Sequence, residues 1–171
     1  AAPAAGRRVA EEIHLLLTEA GVGVREIGEI VVGVGPGGFT GLRIGIATAL
    51  GLGQALGIPV RGVASIEALA LAIVATAPAG AIVVPVIDAK RQEVFAGAYR
   101  GIGAFGLETV LEPFATSAAG LGERLDGLAA VGAPVFVGGD GLERCHAMLD
   151  DRMVAVPGVE RVNAVLLARR A

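Results

Sequence analysis

Twenty consecutive residues, Ala68 to Ile87, carry no charge and are almost wholly apolar. A helix needs about 20 such residues to cross a bilayer. Pro78, Gly80 and Pro85 interrupt this run, however, and Pro78-Ala79-Gly80 has the composition of a turn. Proline breaks helices, and strands covered on both faces are apolar throughout. The run therefore reads as a buried helix ending near Thr76 and a buried strand from Ala81 to Ile87, in preference to a membrane span. No membrane partner is expected.

The remaining residues alternate in the same way. Arg7 to Ala20 reads as an amphipathic helix with Val9, Ile13, Leu16 and Leu17 on one face, ended by Gly21 and Gly23. Glu29 to Val34 is a β-branched strand. Thr40 is placed to cap a helix that runs to Leu56 and closes at Gly57 and Pro59. Pro59–Val63 is a short strand, and Ser65 is placed to cap a helix over Ile66–Thr76. The Ala81–Ile87 strand and a second strand over Glu93–Arg100 form an antiparallel hairpin around a five-residue polar loop, Asp88 to Gln92. A glycine-rich connection, Gly101 to Gly106, leads to a strand over Thr109–Phe114 and a helix over Ser117–Leu128. Pro134–Val137 is a strand, Leu142–Leu149 a helix, Met153–Val156 a strand and Val162–Arg170 a helix. The class is α/β. The composition changes near Pro78–Gly80, which divides residues 1–79 from 80–171 as two α/β lobes.

The 171 residues are 54% hydrophobic but only 4% aromatic, with no Trp, so the core is built from Val, Ile, Leu and Ala. Net charge is −3 and no Lys or Arg block exceeds two residues, which excludes a nucleic-acid grip made by charge alone. A single cysteine, Cys145, excludes an internal disulfide framework and fits a reducing compartment, the cytoplasm. The chain opens on Ala1 with no signal peptide in view.

Gly33, Gly35 and Gly38 fall at G-x-G-x-x-G spacing between the Glu29–Val34 strand and the following helix, the context of a dinucleotide site. Such a site needs an acidic residue at the end of the next strand, and Pro59–Val63 has none. Pro36 removes one amide donor, and no Lys-Ser or Lys-Thr follows to make a P-loop. The helix beyond carries Gly41, Gly45, Gly51, Gly53 and Gly57. Each interior glycine costs up to ~1 kcal/mol relative to alanine, so their number needs an offsetting gain. Gly41 with Gly45, and Gly53 with Gly57, are four apart and share a face that lets another helix approach closely. Gly41, Gly45, Ala49, Leu52, Gly53 and Leu56 are the candidate partner interface. Tight packing inside the same domain is the competing explanation. Arg43 lies one turn into this helix, where a cation gains nothing from the dipole. Its placement calls for a partner or a buried carboxylate.

The segment Gly35-Pro36-Gly37-Gly38-Phe39-Thr40-Gly41-Leu42-Arg43-Ile44-Gly45 resembles the G-P-G-S-F-T-G-[LV]-R-[IV]-G signature of the bacterial TsaB (YeaZ) family, with Gly38 in place of the usual Ser. Gly62 to Ala70 resembles that family's G-V-[SP]-S-L-x-A-[LM]-A segment, and Asp88 to Phe95 its D-A-[RK]-x-x-E-V-[YF] segment, including Asp88 and Glu93. The matches keep the family's order from about Gly33 to Tyr99. Beyond Tyr99 the likeness loosens to Phe136–Gly141.

The resemblance implies a two-lobed actin, sugar kinase and Hsp70-like (ribonuclease H-like) fold. It implies a non-catalytic role in making threonylcarbamoyladenosine at position 37 of tRNA. In that family the protein pairs with the catalytic subunit TsaD and recruits the ATPase TsaE. ATP and a metal are then expected on those partners, with none in this chain, and tRNA is reached through the complex. Wider relatives have been labelled M22 glycoproteases, so a metallopeptidase and a stand-alone nucleotide-binding transferase of the same fold are the alternatives. A homodimer through the glycine-rich helix is the alternative pairing. The family's opening L-A-I-D-T-S hairpin and its Pro-x-Tyr-x-Arg tail have no counterpart here, so the first lobe is expected to be incomplete in this sequence. Gly138, Gly139 and Asp140 fall where actin-like folds place an adenosine-side loop and are the candidates for nucleotide contact, beside the plainer reading of a strand-to-helix turn.

Direct signs of catalysis are few. A metallopeptidase needs paired histidines on one helix, whereas His14 and His146 are far apart in sequence. Cys145 as a nucleophile needs a base and an electropositive setting. Ser65 and Ser117 lack a G-x-S-x-G elbow and read as helix caps. Asp88 with Glu93 reads as turn chemistry before it reads as a catalytic carboxylate pair.

Overall fold

The structure is a computed structural model that describes residues 5–129, 134–145 and 153–171. Its elements in chain order are α1 (Ala5–Ala20), β1 (Ile30–Gly33), α2 (Phe39–Leu56), β2 (Val60–Val63), α3 (Ser65–Val74), β3 (Ile82–Lys90), β4 (Glu93–Ile102), β5 (Gly106–Ser117), α4 (Ala118–Ala129), β6 (Val135–Gly138), α5 (Leu142–Cys145), β7 (Met153–Ala155) and α6 (Ala164–Arg170). A 3-10 turn, Val24–Glu26, follows α1. The Ala68–Ile87 run resolves as the sequence suggests, into the end of α3 and the start of β3. Among the described residues no helix is long and apolar enough to cross a membrane.

Five strands form one sheet in the order β5-β4-β3-β6-β7. The β3–β4 and β4–β5 pairs are antiparallel, and β6 and β7 run parallel to β3 and to each other. This mixed order excludes a Rossmann sheet, whose strands are mostly parallel. The first six residues of β3 are all buried because helices cover both faces of the sheet. Val83 and Ile87 meet Ile66, Leu69, Ala70 and Ile73 of α3 on one face. Val84 and Val86 meet Leu121 and Leu125 of α4 and Cys145 of α5 on the other. The β4 register sets Val83 opposite Tyr99 and Val86 opposite Ala96, so Pro85, which has no N–H to give, falls between these pairs.

The second sheet is small. Among the described residues β1 pairs with β2 alone, in parallel from Ile30↔Val60 to Gly33↔Val63, with α2 as the crossover. Helix α2 packs on β1, α1 packs on α2, and α6 packs on both α3 and β1. Helix α3 lies before the 79/80 division in sequence but packs on β3 of the larger sheet. It is the bridge between the two sheets.

Several local expectations need correction. The hairpin loop is two residues, not five: β3 continues to Lys90 and β4 starts at Glu93. Lys90, Arg91 and Gln92 all adopt positive φ, at 65°, 50° and 66°, the twist that a two-residue hairpin turn demands. None of the three is Gly, Asn or Asp, so the usual signal for such a turn is missing. Leu16 is 63% exposed and does not share the half-buried line of Val9, Ile13 and Leu17 on α1. At 3.6 residues per turn it leaves the Ile13–Leu17 line that meets α2. Ser117 does cap its helix, accepting the Gly120 N–H at 3.2 Å. Gly57, at φ 69°, closes α2 as expected. The expected helix over Leu142–Leu149 is described only to Cys145, and its remainder lies outside the described residues.

Candidate functional site

The glycine loop is held from below. Gly35 is buried at φ +105°, a conformation open to glycine. Its carbonyl accepts the Ser65 N–H at 2.6 Å and its own N–H donates to Ser65 Oγ at 3.3 Å. Ser65 therefore does not cap α3, whose N-cap is Ala64 without a side-chain bond. Thr40 does not cap α2 either. The helix begins one residue earlier, at Phe39, with Gly38 as N-cap and no side-chain cap bond. Two positions of the loop offer an anion no donor: Gly35 N–H is engaged and Pro36 has none.

Helix α2 presents three faces. Ala49 and Gly53 point inward. A Cβ on Gly53 would collide with Val60 Cγ2 of β2 and reach Ile58 O at 3.2 Å. These two residues are not partner-facing; the glycine at 53 lets α2 lie close on its own strand, the packing alternative left open above. Leu52 and Thr48 turn toward α1, lining an apolar groove of about 240 Å³ with Ala10, Ile13, Leu17 and Val24, and exposed His14 sits on its rim. Leu56 is half-buried. Nothing lies within 4 Å of a Cβ built on Gly41 or Gly45, so both remain open.

The outward face carries Phe39, Thr40, Arg43, Ile44 and Ala47 around a shallow depression of about 360 Å³. Phe39 is 73% exposed and the Arg43 guanidinium stacks over its ring at 5.3 Å. Among the described residues no carboxylate answers Arg43, and its neighbour is the stacked Phe39 ring. Leu50, further along the helix, is 56% exposed.

Across from the loop lies a cleft of about 370 Å³, with Pro36, Gly37, Gly38 and Leu42 on one wall and Asp88, Lys90, Asp140 and Arg161 on the other. Asp88 is its most engaged side chain. It accepts from Lys90 N at 2.8 Å, the turn chemistry its sequence position suggests. It also accepts from Lys90 Nζ at 2.7 Å and from Arg144 Nε and Nη2 at 2.8 and 3.2 Å. The Lys90 and Arg144 hydrogen bonds hold its carboxyl well below the usual carboxylate range. Glu93 is exposed at the start of β4, opposite Ser117 across the β4–β5 ladder, and forms no pair with Asp88.

The candidates Gly138, Gly139 and Asp140 are engaged within the chain. Gly138 ends β6 against Ile73, and a Cβ on Gly139 would collide with Val86 O. Asp140 Oδ1 accepts the Asp88 N–H at 2.9 Å. A Cβ on Gly141 would stand 2.8 Å from Val86 Cγ1. These glycines let the strand-to-helix turn lie down on β3. The Gly141 and Leu142 amides are spent inside the turn, on Val86 O and Gly139 O.

Other chemistry is equally spare. Among the described residues no group of three His, Cys, Asp or Glu side chains could hold a metal; His146 lies outside them. Cys145 is fully buried, and burial pushes its thiol up against the weaker pull of Arg144, the opposite of an activated nucleophile. Sequence reasoning missed Arg144 as the partner of Asp88 and Ser65 as the partner of Gly35. Their contacts span 56 and 30 residues, and no local spacing signals them.

The family model described as "TsaD: tRNA N6-adenosine threonylcarbamoyltransferase" matches residues 1–131. An uncharacterized protein of Mycobacterium leprae is 41% identical over 93 residues, 54% of this chain and 24% of that protein. The "tRNA threonylcarbamoyladenosine biosynthesis protein TsaB" of Bacillus subtilis is 34% identical over 93 residues, 54% of this chain and 39% of that protein. The chain thus matches less than half the length of these curated relatives. A crystal structure of a Pseudomonas aeruginosa protein "with similarity to peptidase YEAZ" superposes with a TM-score of 0.82 at 28% identity, covering 98% of this chain and 75% of that one. That likeness makes the fold actin/ribonuclease H-like, as the sequence motifs imply. With the family model matching well over half of its residues, the chain belongs to the TsaD-described tRNA threonylcarbamoyltransferase family, and its resemblance within that family is to the TsaB/YeaZ proteins.

Proposed function

We propose that this chain is a partner subunit in bacterial synthesis of threonylcarbamoyladenosine at position 37 of tRNA. In this reading it supports a TsaD-like transferase in the cytoplasm and does not itself transfer the group. The observation that carries the reading is the outward face of α2. A phenylalanine 73% exposed, stacked under an arginine with no carboxylate partner among the described residues, gains nothing from the fold that displays it. Aromatic and arginine side chains are what interface centres concentrate. The printed name of the Bacillus subtilis relative supports the pathway. ATP and the metal reside on the TsaD-like and TsaE-like partners, and tRNA is met through the assembled complex. Gly41 and Gly45, open on the flank of the same helix, allow the partner's backbone to come close.

The test is a binding titration of the full chain against a TsaD-like subunit, with Phe39→Ala and Arg43→Glu variants. Loss of a central anchor of this kind costs about 2 kcal/mol or more, so affinity is expected to fall at least tenfold for each. Unchanged affinity in both variants overturns the α2 face as the docking surface. Threonylcarbamoyl transfer or peptidase turnover by the chain alone overturns the partner role. Self-association that both variants abolish, without any TsaD-like binding, assigns the face to a homodimer instead.

A further inference from the structure

Ser65 is buried, 7% exposed. A serine at a helix start ordinarily caps the helix, but this side chain turns away from α3 and toward the β1–α2 loop. One residue thereby holds both backbone polar groups of Gly35, through Ser65 N–H to Gly35 O and Gly35 N–H to Ser65 Oγ. A Cβ on Gly33 would come within 2.9 Å of the same Oγ. The glycines at 33 and 35 are thus explained together: the first leaves room for the hydroxyl and the second bends around it. Helix α2 begins at Phe39, four residues past Gly35, so its departure from the sheet is set at this contact. Ser65 itself is mounted on a firm base. Ile66, Leu69, Ala70 and Ile73 behind it are each no more than 1% exposed within the core of the five-stranded sheet.

We propose that Ser65 is a positioning residue that fixes the outward face of α2 relative to the five-stranded sheet. It thereby sets how a partner on that face is oriented against the rest of the molecule. The proposal rests on the docking reading of α2 and adds its control point. It predicts that partner affinity depends on a hydroxyl that no partner touches.

The experiment uses the full chain with a TsaD-like subunit and four variants: Ser65→Ala, Gly33→Ala, the two combined, and Phe39→Ala. Ser65→Ala is expected to speed exchange of the Gly35 amide and to displace the amide resonances of Phe39 to Arg43. Loss of one such hydrogen bond corresponds to a loss of partner affinity of about threefold to tenfold. Gly33→Ala, which crowds the hydroxyl, is expected to displace the same resonances. Its effect should shrink in the Ser65→Ala background, where the hydroxyl is gone. A general loss of stability does not produce that non-additivity. Unmoved α2 resonances in folded Ser65→Ala overturn the proposal, and so does unchanged affinity in a background where Phe39→Ala weakens binding. If Ser65→Ala does not fold, Gly33→Ala alone decides, and unmoved Phe39–Arg43 resonances in it overturn the proposal. If Phe39→Ala leaves binding intact, the docking reading fails, while the resonances of Phe39 to Arg43 still decide whether Ser65 positions the helix.

Discussion

Strands β1 and β3 are both runs of β-branched residues feeding parallel pairs, yet they are covered very differently. All four residues of β1 are half-buried, whereas the first six of β3 are buried outright. The larger sheet has α3 on one face and α4 with α5 on the other. The smaller has two strands among the described residues, and its covering helix, α2, is rich in glycine and displays a phenylalanine to solvent. The contrast separates two uses of apolar residues. Around β3 they form the core that holds the molecule together. Around β1 and α2 they form a surface with a ring and a guanidinium that nothing in the described chain uses.

The largest effect that sharpens this contrast comes from truncating each side. Leu69→Ala opens a cavity in a site 1% exposed and is expected to cost about 2–5 kcal/mol of unfolding free energy. Val32→Ala in half-buried β1 is expected to cost about 1 kcal/mol, since less apolar surface is lost from cover. Urea unfolding of the two variants measures both. Equal losses would mean that β1 belongs to the same core as β3.

The glycines of α2 break the contrast within a single helix. Gly53→Ala drives a methyl into Val60, and overpacking of this kind costs about 1–3 kcal/mol. Gly45→Ala enters open space and is expected to stabilise the isolated chain by up to about 1 kcal/mol, through helix propensity alone. Opposite signs in thermal melts of the free chain would establish that one glycine serves packing and the other does not. A destabilising Gly45→Ala would place an intrachain contact where the structure has none.

How much of this was legible in the sequence depends on the range of the interaction. The Pro78–Gly80 turn, the Gly57 helix end and the Ser117 cap each depend on neighbours within four residues, and the sequence placed them. The motifs from Gly35 to Phe95 identified the family and, through it, the fold. The inward turn of Gly53 was open to misreading because glycine spacing marks a face without saying what lies against it. Ser65 and Arg144 find their partners only after the two sheets have come together. Lys90, Arg91 and Gln92 take up a left-handed turn that the β3–β4 ladder imposes against their own preferences. The sequence offered the glycine-rich α2 as a candidate interface without saying which of its residues the fold buries; the structure buries Ala49 and Gly53 and exposes Phe39.

A smaller effect concerns the latch between the hairpin and α5. Asp88→Asn removes the charge that gathers Lys90 and Arg144, and is expected to cost about 1–2 kcal/mol. Arg144 contributes most of it, because Lys90 is 72% exposed and surface pairs are weak. The pKa of Asp88 is lowered in the folded state, so its contribution is complete above about pH 4, the ordinary carboxylate range, and is lost as pH falls below it. Urea midpoints of wild type and Asp88→Asn should therefore differ at pH 7 and converge in strong acid. A gap that persists undiminished into strong acid would show that the charge is not what ties the hairpin to α5.

The smallest effect tests the most local feature of the smaller half. Gly38 is the N-cap of α2, with φ −61° and ψ 118°, an extended conformation open to any residue. A Cβ built there meets nothing within 4 Å. The related family signature has serine at this position, and a serine hydroxyl can accept one of the free N–H groups of the first helical turn. Gly38→Ser is therefore expected to stabilise the chain by a few tenths of a kcal/mol, a rise of about 1 °C in the melting midpoint for a protein of this size. The gain belongs to α2 alone, so amide exchange should slow across Phe39 to Leu42 and stay unchanged in β3. If the midpoint falls instead, the loop needs glycine at this position for a reason other than space. The start of α2 would then be held by the loop's own conformation more tightly than the Ser65–Gly35 contact requires.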